Sequence, residues 1–264
     1  MPLKIGYLQY NECIILHYTP YTGYDAEVPR FSTLPRLQEL TQDQWGLVTR
    51  RQMVARGIGQ TTIERLSGEG GTLERVATGV YRITAAPTPD HLELRAAWLQ
   101  LAPSIPAWNR TSDEGVVSHR SAASLYGIGE LPADTQEFTL PRRRQSRRSD
   151  VRIHVRKLTS EEWISLKGLP VTRPSRIASD LLLDHEDPEA VARLIAESIR
   201  LVFDYPGTFA DQLARHASHF GLRNQDGLGL LRWLLDLTKD ESTPRWLAEA
   251  RAHVDRANQL DTNP

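Results

Sequence analysis

Cysteine is almost missing from this 264-residue chain: Cys13 stands alone, which rules out an internal disulfide framework and a thiolate metal cluster. Long apolar runs are missing too. Nothing approaches the roughly 18 consecutive apolar residues that a membrane span needs, and the N-terminus lacks the basic, apolar, small-residue order of a signal peptide. A cytoplasmic protein is expected. No HExxH, CxxC, GxxxxGKS/T or GxSxG pattern occurs, so the zinc-hydrolase, P-loop and esterase signatures are absent. A restriction-type nuclease would place an acid two residues before a lysine; Val155 holds that place before Lys157, and His154 is the only nearby ligand. No enzyme activity, cofactor or metal is therefore expected. Net charge is small as well, −1, with 32 Lys+Arg against 33 Asp+Glu.

What is present is an ordinary globular composition, 40% hydrophobic and 25% charged, in a chain long enough for two modest domains. The charge is unevenly spread. Between residues 142 and 157, eight Lys/Arg face one acid, Asp150, whereas from residue 184 onward acids outnumber bases. The first region suits phosphates and the second should repel them.

The clearest pattern runs over residues 47–83. Thr49 followed three places later by Gln52 is a capping box, which starts a helix near Arg50. Gly57 stands where a helix end needs a left-handed residue, and Thr61 with Glu64 repeats the capping signature for a second helix. After the Gly-Glu-Gly-Gly break, residues 73–76 and 80–83 are β-favouring runs joined through Thr78 and Gly79. Two short helices, then two short strands, is the plan of a winged helix-turn-helix. Leu34, Leu37 and Leu40 share one face of a supporting helix ahead of it, and Met53, Val54, Ile58, Ile63 and Leu66 supply its small core. The second helix is the candidate reader of a major groove, with Gln60, Thr61, Thr62 and Arg65 facing outward. Arg50, Arg51 and Arg56 are placed for backbone phosphates, although Glu64 and Glu69 count against affinity.

Residues 1–33 carry five of the eight tyrosines (Tyr7, Tyr10, Tyr18, Tyr21, Tyr24) and little periodicity; they read as an unassigned leader or a tyrosine-rich contact surface. The winged helix-turn-helix is expected over 34–84. A proline-bearing linker over 85–90 then leads to a second, mixed domain over 91–264, which opens with a helix over 91–101. The stretch VVSHRSAASLYG (116–127) predicts a helix capped by Ser118 and ended by Gly127, with His119 and Arg120 at the domain surface or on a phosphate. Nucleophilic catalysis by the adjacent Ser and His lacks a third orienting group. Strands are expected over 136–140 and 150–156. Between them Arg142, Arg143, Arg144, Arg147 and Arg148 crowd into seven residues, a self-repelling cluster whose planar forks suit phosphate. A strand turning into a helix follows over 168–182, with Pro174 in the first turn. Helices over 188–202, 209–220, 227–237 and 244–254 complete an α+β fold with a helical end. The apolar stripes of those helices are core or a partner surface.

From about residue 37 to residue 234 the order of motifs resembles the AbiEi family, antitoxins of bacterial type IV toxin-antitoxin systems. The carrying stretches are VTRRQMVARGIGQTTIERL (48–66), the wing with Val76 and Gly79-Val80-Tyr81, VVSHRSAASLYG, the arginine-rich loop and GLPVTRPSRIASDLL (168–182). The resemblance implies an N-terminal winged helix that binds and represses the operon's own promoter, and a C-terminal domain that counteracts a nucleotidyltransferase toxin, without need of a stable complex. It implies that Gln60, Thr61, Thr62 and Arg65 read bases while the basic loop assists on the backbone. The alternative is a protein-docking module whose acidic C-terminal helices bind a partner, with the winged helix as scaffold.

Overall fold

A computed structural model describes residues 33–144, 146 and 148–261. Cys13, the tyrosines of the leader and Arg147 lie outside the described residues; Thr33 already belongs to the first helix.

Helix α1 (Thr33–Thr41) leads through a turn into strand β1 (Leu47–Thr49), then α2 (Arg50–Ala55), α3 (Gln60–Leu66), β2 (Leu73–Ala77) and β3 (Val80–Ile83). The three strands form an antiparallel sheet in the order β1-β3-β2. The capping box forms as its spacing predicts: the Thr49 hydroxyl accepts from the Gln52 N–H, and the Gln52 amide oxygen accepts from the Thr49 N–H. Gly57 takes φ +75° after α2, a conformation that favours glycine. The second capping box does not form. Gly59 is the N-cap of α3, and Glu64 instead accepts from the Gln60 side chain on the same helix face. Leu37, Leu40, Met53, Ile58, Ile63 and Leu66 are buried, whereas Val54, expected in that core, is exposed, as is Leu34, read on one helix face with Leu37 and Leu40.

Helix α4 (Leu92–Leu101) follows, and after two 3-10 turns come β4 (Val116–Val117), α5 (His119–Tyr126), β5 (Gln136–Leu140), β6 (Val151–Val155), β7 (Trp163–Leu166), β8 (Leu169–Thr172) and α6 (Pro174–Leu183). The second sheet runs β6-β5-β4-β8-β7, parallel at β5–β6 and β4–β8 and antiparallel at β4–β5 and β7–β8. Strand β7 was not expected from the sequence. Its hairpin turns through Lys167 and Gly168, both at positive φ (50° and 80°), which is the two-residue geometry matching strand twist. A Cβ on Gly168 would come within 3.1 Å of the Trp45 ring, so the turn also needs glycine for space.

The helical end comprises α7 (Pro188–Arg200), α8 (Pro206–Leu213), a 3-10 stretch at Ala214–Phe220, α9 (Gly227–Thr238) and α10 (Thr243–Asp261). The single helix expected over 209–220 is thus α8, beginning earlier at Pro206, followed by a tighter turn. No helix among the described residues is long and apolar enough to cross a membrane.

Helix α4 joins the two sheets. Leu47 and Val80 of the first sheet share one apolar cluster with Trp98, Leu99 and Phe138, and Trp45 meets Trp98 edge-on at 5.9 Å. Polar contacts seal the same junction: Gln44 Oε1 accepts from the Ala107 N–H at 2.9 Å, and Gln52 donates to the Ile105 carbonyl at 3.2 Å. The turn between β2 and β3 is docked too, since Gln100 Nε2 donates to the Thr78 carbonyl at 2.8 Å. Arg110 lies beneath the end of α4, where its guanidinium donates to the carbonyls of Leu99 and Ala102 and so satisfies the acceptors a helix end leaves open.

Candidate nucleic-acid interface

The capping box that starts α2 leaves Arg50 and Arg51 exposed in its first turn. Opposite them, the chain between the parallel strands β5 and β6 carries Arg144 and Arg148. These four arginines rim one cleft of about 500 Å³ that runs from α2 and the β2–β3 turn across α4 to β6. Its floor is apolar, built from Ala97, Leu101, Val151 and Ile153, with Thr78 and Gly79 of the docked turn along the side.

The arginines are not equivalent. Arg144 donates to the Leu101 carbonyl at the end of α4. Arg148 makes a bidentate pair with Asp150 and a further bond to Gln100; the hydrogen bond to Asp150 holds its pKa above the ordinary value. Both are therefore spent partly on the fold. Arg142 and Arg143 are exposed and make no ion pair among the described residues. Arg152 on β6 reaches Asp184 at 3.8 Å and Arg156, just after it, reaches Asp180 at 3.7 Å, so these bases face acids of the same domain.

On α3, Gln60, Thr61 and Arg65 are exposed and Thr62 is half-buried. Gln60 is engaged by Glu64, and that contact must break before the amide can meet a base edge. Arg65 makes no ion pair among the described residues. The side chains of α3 do not line the arginine cleft; the chain presents two separate polar surfaces, one on α3 and one around the cleft.

A third polar grouping was not anticipated. His119, expected at the surface, is buried at 4% exposure, and its ring stacks on His154 at 3.5 Å. Burial depresses its pKa to about 4, and the neighbouring His154 adds to the effect. Ser118 is the N-cap of α5, yet it does not cap it: its Oγ lies 2.9 Å from His119 Nδ1. Glu137 of β5 serves that helix end instead, accepting from the Arg120 N–H at 2.9 Å, while its other oxygen lies 3.3 Å from His154 Nε2. Burial by itself would raise the Glu137 pKa, but these hydrogen bonds and the adjacent imidazoles outweigh it and pull the value down. Arg120 turns outward to Glu186 at 2.5 Å. Beneath the histidines, Arg176 is held between Asp180 at 2.6 Å and Glu162 at 2.7 Å, all three nearly or fully buried.

Residues 119, 137, 154 and 180 stand on four elements. Their sequence-level traces were His119, read beside Ser118 and placed at the domain surface, and His154, seen as a lone ligand near Lys157; what the sequence did not show is their meeting, to which the β5–β6 register contributes by setting Thr139 beside His154. No family model matches the chain, and no curated protein matches it.

Proposed function

We propose that the chain is a DNA-binding autorepressor of the antitoxin type without catalytic activity of its own, with residues 33–84 serving as a winged helix-turn-helix. The observation that carries this reading is the convergence of Arg50 and Arg51 with Arg144 and Arg148 on one cleft, together with a separate exposed helix bearing Gln60, Thr61 and Arg65. The helix and strand order around the β1-β3-β2 sheet supports it. Asp150 already neutralises Arg148, but Arg50, Arg51, Arg142 and Arg143 make no ion pair among the described residues, and a phosphodiester backbone offers a row of anions for them. The antitoxin part, counteraction of a nucleotidyltransferase toxin, rests on the motif resemblance alone.

The division of labour proposed is base contact by α3 and backbone contact by Arg50, Arg51, Arg142 and Arg143. The turn of the β-hairpin, being docked on α4 through Gln100, adds little to groove contact. The test is an electrophoretic shift comparing the upstream region of the gene with a scrambled fragment of equal length across a salt series. Preferential binding whose affinity falls steeply with added salt is expected from counterion release; unchanged migration of both fragments at low salt sinks the proposal.

A second reading, a protein-docking module, is favoured by one feature. Between α7 and α8, Leu201, Val202, Phe203 and Tyr205 expose apolar surface, Val202 at 68% and Tyr205 at 66%, on the acidic half of the chain. Co-purification of the neighbouring gene's product with the wild type, and its loss in Tyr205→Ala, supports that reading.

A further inference from the structure

We propose that His119, His154 and Asp184 bind a divalent transition-metal ion of the zinc type in a polar pocket of the second domain that is closed at His119 and open to solvent at Asp184. The first of these residues opens α5, the second lies on β6 and the third ends α6. One ring nitrogen of each histidine and one carboxylate oxygen of Asp184 lie within 4.8 Å of one another. They line a cavity of about 150 Å³ together with Thr139, Arg156, Arg176 and Asp180.

Thr139 points independently to a ligand in that space. It is 2% exposed, it lines the cavity, and its Oγ1 has no hydrogen-bond partner among the described residues. A buried hydroxyl left unpaired is destabilising, and a water on a bound ion would give it a partner.

The surroundings orient the two imidazoles as ligands. Ser118 Oγ engages Nδ1 of His119, and Glu137 engages Nε2 of His154. That leaves Nε2 of His119 and Nδ1 of His154 for an ion; at His154 the partner is a carboxylate, the arrangement that fixes ring orientation at metal sites, and at His119 it is a hydroxyl. The charges are partitioned suitably. Asp180 neutralises Arg176 and approaches Arg156, so Asp184 is left as the carboxylate for the ion, while Arg152 beside it is 62% exposed and free to swing into solvent.

Two nitrogens and one oxygen suit zinc, cobalt or nickel better than magnesium or calcium, which take oxygen donors. The rings now lie nearly parallel, 12° apart. Coordination at the usual zinc–nitrogen distance of about 2.0–2.1 Å requires them to splay by rotation about Cβ–Cγ. A fourth position faces Thr139 and is open to water.

Titration of the full chain with Co2+, followed by visible absorption, tests the site. The expected result is one equivalent of a tetrahedral-type cobalt band, displaced by Zn2+ and not by Mg2+. It should vanish in His154→Ala and weaken at least about tenfold in Asp184→Asn, the least that loss of even an outer-shell partner costs. Circular dichroism reports whether each variant folds; should His154→Ala unfold, the exposed Asp184→Asn decides. Absence of a band in the wild type, or a band unchanged in the folded variants, overturns the proposal; the second outcome puts the ion on surface histidines such as His185 or His253.

Discussion

Arg65 and the loop arginines differ in what surrounds them, and their substitutions should differ accordingly. Arg65 is exposed on α3 with no ion pair to give up, so Arg65→Ala is expected to erase about 1–3 kcal/mol of preference for the specific fragment over the scrambled one. Arg142→Ala and Arg143→Ala should weaken both fragments alike and lower the salt dependence. Arg144→Ala should act chiefly on stability, because its guanidinium closes the end of α4 at Leu101. Identical binding profiles for Arg65→Ala and Arg142→Ala would contradict this assignment. His216 carries a separate consequence. It is buried, 2.7 Å from Ser179 Oγ, and burial together with Arg215, His219 and Arg156 depresses its pKa to about 4, against a smaller opposing pull from Asp180. The folded protein therefore releases this proton while the unfolded chain still holds it. Stability is fully present above about pH 6.5 and is lost as the pH falls towards 4, a loss on the order of 1–3 kcal/mol. Thermal melts between pH 7 and pH 4.5 should show the midpoint falling, and less steeply in His216→Gln.

At the scale of elements, α2 depends on one residue more than its six-residue length suggests. Short helices draw most of their stability from caps and packing. Thr49 supplies both: it accepts from the Gln52 N–H, and its hydroxyl donates to the Pro103 carbonyl across the junction with the second domain. Thr49→Ala is expected to cost about 1–2 kcal/mol in denaturant unfolding, whereas Thr61→Ala, at a position that caps nothing, should stay within about 0.5 kcal/mol. Equal effects would mean that α3 is capped by Thr61 after all. The capping box at Thr49 was legible because its partners are three residues apart. The one at Thr61 was misread, because Gly59 already supplies extended backbone and lets the helix begin at Gln60. Ser118 was misread for another reason: His119 captures its oxygen, and a carboxylate from β5 takes the helix end.

At the scale of the molecule, the linker between the two units is short and the surfaces it joins are apolar. Leu47 and Val80 lie in the same buried cluster as Trp98, and Gln44, Thr49, Gln52 and Gln100 all bond across the junction. A single cooperative unfolding transition is therefore expected in calorimetry, with coincident loss of helix signal and of tryptophan fluorescence. Two resolved transitions would show the units to be energetically independent. The same junction bears on DNA binding, because Arg50 and Arg51 meet Arg144 and Arg148 only while α4 holds the sheets together.

The sequence by itself determined what depends on near neighbours. Apolar stripes at helical spacing marked α4, α7 and α9, alternation marked β6, and Thr49, Gly57 and Pro174 marked the ends of helices, because caps and periodicity act within a few residues. The basic loop was equally legible as an excess of charge. Only the tertiary structure decided which polar side chains meet. His119 and His154 stand 35 positions apart and touch because β5 pairs with β6 in the register that sets Thr139 beside His154; a one-residue slip would turn His154 to the other face. Hydrophobic patterning states which residues leave water and leaves open which polar groups follow them inside. That choice is made when the sheet closes against α5 and α6, and each buried donor must find its acceptor across the fold.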